Sequence, residues 1–193
     1  MSEIPSKKQS KGNDKGIAAS SPRRLDPVAV VESVIKKALI SSADKMGPCD
    51  VKTIINCIKK GDPTACSYYH YNIARELGRV LGSWDVNIRA VYALGYDDNT
   101  SAEEGAENFA FSLVHMIIWA ERKTKALNAM IEAIDRAMVQ VYRKLFEMGE
   151  LQRVVDIQVI DGEDVKNRTG YAALLKSIYQ MPIQVWSSEA GKL

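Results

Sequence analysis

The sequence predicts an α+β (or α/β) domain in which three N-terminal helices precede a mixed sheet of about four strands in the order β-β-α-β-α-β. Three observations predict it. Apolar residues recur at helical spacing up to about residue 82, and the texture turns β-branched and aromatic from Val86 onward. One long amphipathic run, 125–148, falls between strand-like segments and is expected to cover one sheet face. The chain has 193 residues with 46% hydrophobic content, enough to bury one core. The expected division is a basic tail over 1–24, one globular domain over 25–187, and a flexible C-terminus over 188–193. Within the domain, 25–82 is the helical part and 84–186 the sheet part.

Asp26-Pro27 announces the first helix, an N-cap acceptor followed by the residue suited to the first helical position. Val30, Val31, Val34, Ile35, Ala38 and Leu39 give it one apolar face, and Gly47-Pro48 should end it. A second helix is expected from about Asp50 to Lys60, closed by Gly61. Asp62-Pro63 repeats the start signal for a third, whose apolar line includes Tyr69, Ile73, Leu77 and Val80 and which Gly82 should break. Strands follow at 86–94 and 109–121, the second apolar on both faces in its middle and therefore central. Thr124 caps the long helix of Leu127, Met130, Ile131, Ile134, Met138, Val141 and Leu145. A third strand at 154–160, a helix at 167–179 and a short strand at 183–186 complete the order.

Residues 1–24 carry six basic side chains against Glu3 and Asp14, a local charge of +4 that leaves −2 on the remainder of a chain whose net charge is +2. So polar a tail has little apolar area to offset the entropy of ordering, and it is read as a disordered, solubilising arm. No apolar run approaches the ~20 residues that cross a bilayer. With a charged N-terminus in place of a signal peptide, the expectation is a cytoplasmic protein with no membrane partner. Cys49, Cys57 and Cys66 match no common disulfide framework and are expected to be reduced. Cys66 and His70 stand four apart on one helix face, but the cysteine gaps exceed the usual zinc spacing.

Several motifs bear on chemistry. The connection holding Asp97, Asp98, Glu103, Glu104 and Glu107 has no basic residue, and hard cations favour such oxygen clusters. It fails the EF-hand pattern, because Ala102 stands in the glycine position and Asn108 in the bidentate glutamate position; a solvated acidic loop over 97–107 is the favoured reading. Lys166, Arg168, Thr169 and Gly170 lead into the expected helix at 167–179 and are candidate phosphate-binding residues, although turn and capping chemistry explains them as well. His115, between Val114 and Met116, reads as a core histidine donating to a carbonyl. The second and third helices invite a helix-turn-helix reading, but Arg75 and Arg79 are thin equipment for phosphates and base edges.

The stretch Ile88-Arg89-Ala90-Val91-Tyr92-Ala93-Leu94-Gly95 resembles the first strand, ending at a glycine, of the small nucleotidyltransferase domains of the polymerase-β superfamily. Val154-Val155-Asp156-Ile157-Gln158-Val159 is similar to the strand that carries that family's third metal-binding carboxylate. The resemblance spans about residues 84–186 and implies a phosphoryl-transfer site using Mg or Mn, with Asp156 as a metal-binding carboxylate; Asp97 and Asp98, beyond the first strand, are candidate catalytic and metal-binding residues that would join it only if the strand ends converge. Here Gly95 precedes Tyr96 where the family has Gly-Ser. The second strand reads Ser112-Leu113-Val114-His115-Met116 where the family has Asp-x-Asp.

Because Asp156 alone cannot hold two ions, the sequence favours a non-catalytic protein-interaction or nucleotide-binding module on a scaffold that has lost transfer activity. Its expected partners are a protein or a second copy of itself, with nucleotide as a further ligand. The first alternative is a metal-dependent nucleotidyl- or phosphotransferase. The second is a nucleic-acid-binding protein using the N-terminal arm, Arg75 and Arg79.

Overall fold

A computed structural model describes residues 26–47, 49–95, 113–177 and 181–188. The tail at 1–24, the acidic segment 97–107 and the C-terminal residues 189–193 lie outside the described residues. Helix α1 spans Pro27–Met46, α2 Val51–Lys59 and α3 Pro63–Trp84. Strand β1 is Ile88–Ala93, β2 Val114–Ala120 and β3 Val155–Ile160, with helix α4, Lys125–Phe146, between the last two. After β3 come helix α5, Gly162–Asn167, a 3₁₀ helix over Gly170–Lys176, and strand β4, Ile183–Ser187. The class is α+β, with one four-stranded mixed sheet.

Short polar side chains start the helices. The Asp26 carboxylate accepts from Val28 N at 3.0 Å, Asp50 from Thr53 N at 2.7 Å, Asp62 from Ala65 N at 2.8 Å, and the Thr124 hydroxyl oxygen from Leu127 N at 3.1 Å. Each cap satisfies an amide the helix itself cannot, worth about 1 kcal/mol. The apolar stripe of α4 then buries Leu127, Ile134 and Met138, each contributing about 1.5–3 kcal/mol through area removed from water.

The sheet order is β3-β2-β1-β4, with β3 parallel to β2 and the other two pairings antiparallel. Strand alternation sends Val114, Met116, Ile118 and Ala120 of β2 to the face covered by α3 and α4, together with Val91, Ala93, Val155 and Ile157. Ile117 faces the other way with Ala90, Tyr92 and Ile160, and there the 3₁₀ helix supplies Ala172 while Trp119, Val165, Leu174 and Leu175 pack around it. Both faces of β2 are therefore apolar in its middle, which is why its sequence lacks simple alternation.

Two expectations about breaks need correction. Gly82 does not end α3, which continues to Trp84; a Cβ at Gly82 would meet the Trp186 indole, so this glycine permits close approach between helix and strand. The expected helix at 167–179 is replaced by α5 and the 3₁₀ helix. Asp161 and Asp164 form a reciprocal cap that starts α5 earlier, left-handed backbone at Arg168 (φ 53) ends it, and Gly170 (φ 52) opens the 3₁₀ helix.

Candidate functional site

The end of β1 and the starts of β2 and β3 meet at one edge of the sheet. Leu94 N donates to His115 O at 3.0 Å, and Val114 N donates to Val154 O at 2.9 Å. Gly95 turns the chain away with φ 78, a conformation that disfavours any residue with a Cβ. The acidic segment leaves β1 and returns to β2 at this edge; Asp97 and Asp98 themselves lie outside the described residues.

His115 and Asp156 are direct partners in the parallel register of β2 and β3. They share the face opposite the large helices, and His115 Nδ1 lies 3.2 Å from Asp156 Oδ2. The His115 side chain is 50% exposed and that of Asp156 17%. The core-histidine expectation is thus corrected: His115 occupies the outward phase of β2, one row beyond the apolar cover that shelters Ile117 and Trp119. Two further groups converge on Asp156. Gln158, two residues along the same face, donates from Nε2 to Oδ1 at 2.9 Å, and Arg153 Nη2 stands 3.9 Å from Oδ1. Arg153 is steadied from behind by Asp135, which lies 3.7 Å from Arg153 Nε and accepts from the amides of Val154 and Val155.

Gln158 Nε2 and Arg153 Nη2 are nitrogen donors directed at the Asp156 carboxylate. Which ring nitrogen of His115 carries the proton depends on the tautomer; with Nδ1 donating to the carboxylate, Nε2 is the nitrogen turned away from it. A divalent cation at Asp156 would have to displace these donors. Among the described residues, no group of three or more His, Cys, Asp or Glu is arranged to hold a metal ion.

The candidate phosphate residues gather at the other end of the parallel pair, around α5. Lys166, Arg168, Thr169 and Gly170 are all exposed. The amides of Glu163 and Asp164 are bonded to Asp161 Oδ1, each at 3.0 Å, and the Thr169 hydroxyl donates to Asp164 Oδ1 at 3.1 Å. Lys123, which the sequence reading did not single out, reaches Asp164 Oδ2 at 2.6 Å. Its hydrogen bond holds the Asp164 carboxyl below the ordinary range. The chain's own carboxylates thus occupy the donors an incoming anion would use at the start of α5.

Cys66 and His70 lie inside the helical layer. Burial pushes the Cys66 thiol up to about 11 and the His70 imidazole down to about 4, so both are held neutral. The three cysteines are free, and His115 is on the far side of the sheet from Cys66, which separates the parts of any Cys-His dyad. Helix α3 packs between α1 and strands β1 and β4. Arg75 and Arg79 both engage the buried Glu76, at 3.3 and 2.8 Å, and Arg75 also donates to the Ser41 hydroxyl. Those contacts tie Arg75 into the helix packing, while the Arg79 side chain stays 58% exposed. No helix among the described residues is long and apolar enough to cross a membrane.

The His115–Asp156 pair escaped sequence reasoning because it needs the parallel neighbouring of β2 and β3. The available signal was one polar residue in the outward phase of each strand. No protein-family model, curated protein or solved structure matches the chain.

Proposed function

We propose that this protein is a cytoplasmic, non-catalytic interaction module on a nucleotidyltransferase-like scaffold, working through protein contacts that include self-association. The observation that carries the reading is the engagement of Asp156 by His115, Gln158 and Arg153. Two-metal phosphoryl transfer needs several free carboxylate oxygens around ions about 4 Å apart. In this reading the β-β-α-β-α-β half is the retained scaffold, and position 115, opposite Asp156, has exchanged an ion-binding group for an imidazole. Self-association is supported by β4, an edge strand with Ile183 38% exposed and the adjacent Met181 72% exposed. A reducing compartment is supported by three unpaired thiols.

Two measurements test the proposal. Light scattering on the full chain is expected to give a mass above the 21.4 kDa of one copy. Incubation with nucleoside triphosphates and Mg²⁺ or Mn²⁺ is expected to give no transfer product. A monomer at all concentrations would remove self-association from the reading. Turnover that disappears in Asp156→Ala would replace the whole reading with the metal-dependent transferase. Stabilisation by nucleotide without metal would point to nucleotide as the ligand in place of protein.

A further inference from the structure

We propose that His115 is a phosphoryl-accepting histidine whose Nε2 attacks small donors containing a labile P–N bond, the phosphoramidates. This modification site goes beyond the interaction reading and does not depend on it. A nucleophilic histidine needs a neutral ring held in one tautomer, an accessible nitrogen lone pair, and a group that meets the positive charge formed on attack. The sheet edge supplies a partner for one ring nitrogen, access to the other, and a facing carboxylate. Asp156 Oδ2 lies 3.2 Å from Nδ1, placed to accept its hydrogen bond, and the carboxylate's own orientation is fixed by Gln158 at 2.9 Å. The ring is 50% exposed, with Nε2 on the side away from the carboxylate. Arg153, whose side chain is 56% exposed beside Asp156, offers further N–H donors suited to phosphoryl oxygens at the same edge.

The step balances. The Nε2 lone pair forms the new N–P bond, the donor's P–N bond breaks, and the donor's amino nitrogen, already protonated in the zwitterion present near neutral pH, departs as ammonia with that electron pair. With the ring proton on Nδ1, no proton has to leave Nε2. The product ring is an imidazolium, and its new charge faces Asp156 Oδ2 directly. The chain's only other histidine, His70, is 4% exposed and serves as an internal control.

The test incubates the full chain with potassium phosphoramidate near neutral pH and follows intact mass, with ¹⁵N NMR reporting the His115 tautomer. Expected are uptake of one phosphoryl group that is lost in acid and kept in alkali, an Nδ1–H tautomer before reaction, and no uptake by His115→Gln. Asp156→Asn is expected to react slower by on the order of tenfold, the worth of a charge-assisted hydrogen bond. His115→Gln alters a half-exposed side chain outside the core, so its result stands whatever Asp156→Asn does to folding. The proposal is overturned by uptake that persists in His115→Gln, or by no uptake under conditions that phosphorylate N-acetylhistidine. An Asp156→Asn rate equal to wild type also overturns it.

Discussion

Replacing His70 by glutamine should flatten the protein's loss of stability in mild acid. The fold holds this imidazole at about 4 against an ordinary value of 6.5, and burial is the cause. A histidine that is protonated in the unfolded chain but neutral in the fold makes unfolding easier as pH falls. Its contribution is complete above 6.5, declines as pH drops through the window between the two values, and is fully lost below about 4. The difference of about 2.5 in pKa sets a ceiling of about 3 kcal/mol, at 1.36 kcal/mol for each. Between about pH 7.5 and pH 5 the same relation yields about 2 kcal/mol, or about 4–8 °C in Tm for a chain of this size. Urea denaturation of wild type and His70→Gln at those two pH values measures it. The quantity compared is each protein's own change, so packing lost in the variant cancels. Equal changes in the two proteins, or a His70 ring proton that titrates near 6.5 by NMR while the chain is folded, would refute the reasoning.

Two further substitutions probe how the sheet is held. Gly82→Ala should destabilise by about 1–2 kcal/mol in urea, because crowding the Trp186 indole outweighs the ~1 kcal/mol of helix propensity gained; a stabilised variant would show that helix and strand are not in contact there. Asp135→Ala removes the acceptor for the Val154 and Val155 amides and should cost about 1–3 kcal/mol, with Asp135→Asn recovering part of it in the same urea assay.

The helices were legible because their signals are local: Asp26, Asp50, Asp62 and Thr124 each cap an amide two or three residues ahead. Gly82 misled because glycine carries the same letter whether it ends a helix or lets a neighbour come close, and its neighbour Trp186 is more than a hundred residues away. The region after β3 misled for a local reason, since the Asp161–Asp164 cap outranked the apolar run behind it. His115 was misread because burial in a strand depends on what covers each row, and the cover over Ile117 comes from residues near Ala172. Of the candidate site residues, Asp156 gains an unforeseen partner in His115. Lys166 and Arg168 stand exposed, and Thr169 closes a turn around Asp164. Asp97 and Asp98 lie outside the described residues.

Strand β4 pairs with β1, and Ser188 N and Oγ both donate to the carbonyl of Arg89, 99 residues earlier. During synthesis the outer edge of β1 therefore stays bare, and the strip of α3 at Gly78 and Gly82 stays uncovered, until residues 183–188 have emerged from the ribosome. Nascent chains stalled before that point carry an open template for strand pairing with one another. Strand β4 thus acts as a closing seam, and its loss through a premature stop codon would favour aggregates over a folded, shortened protein.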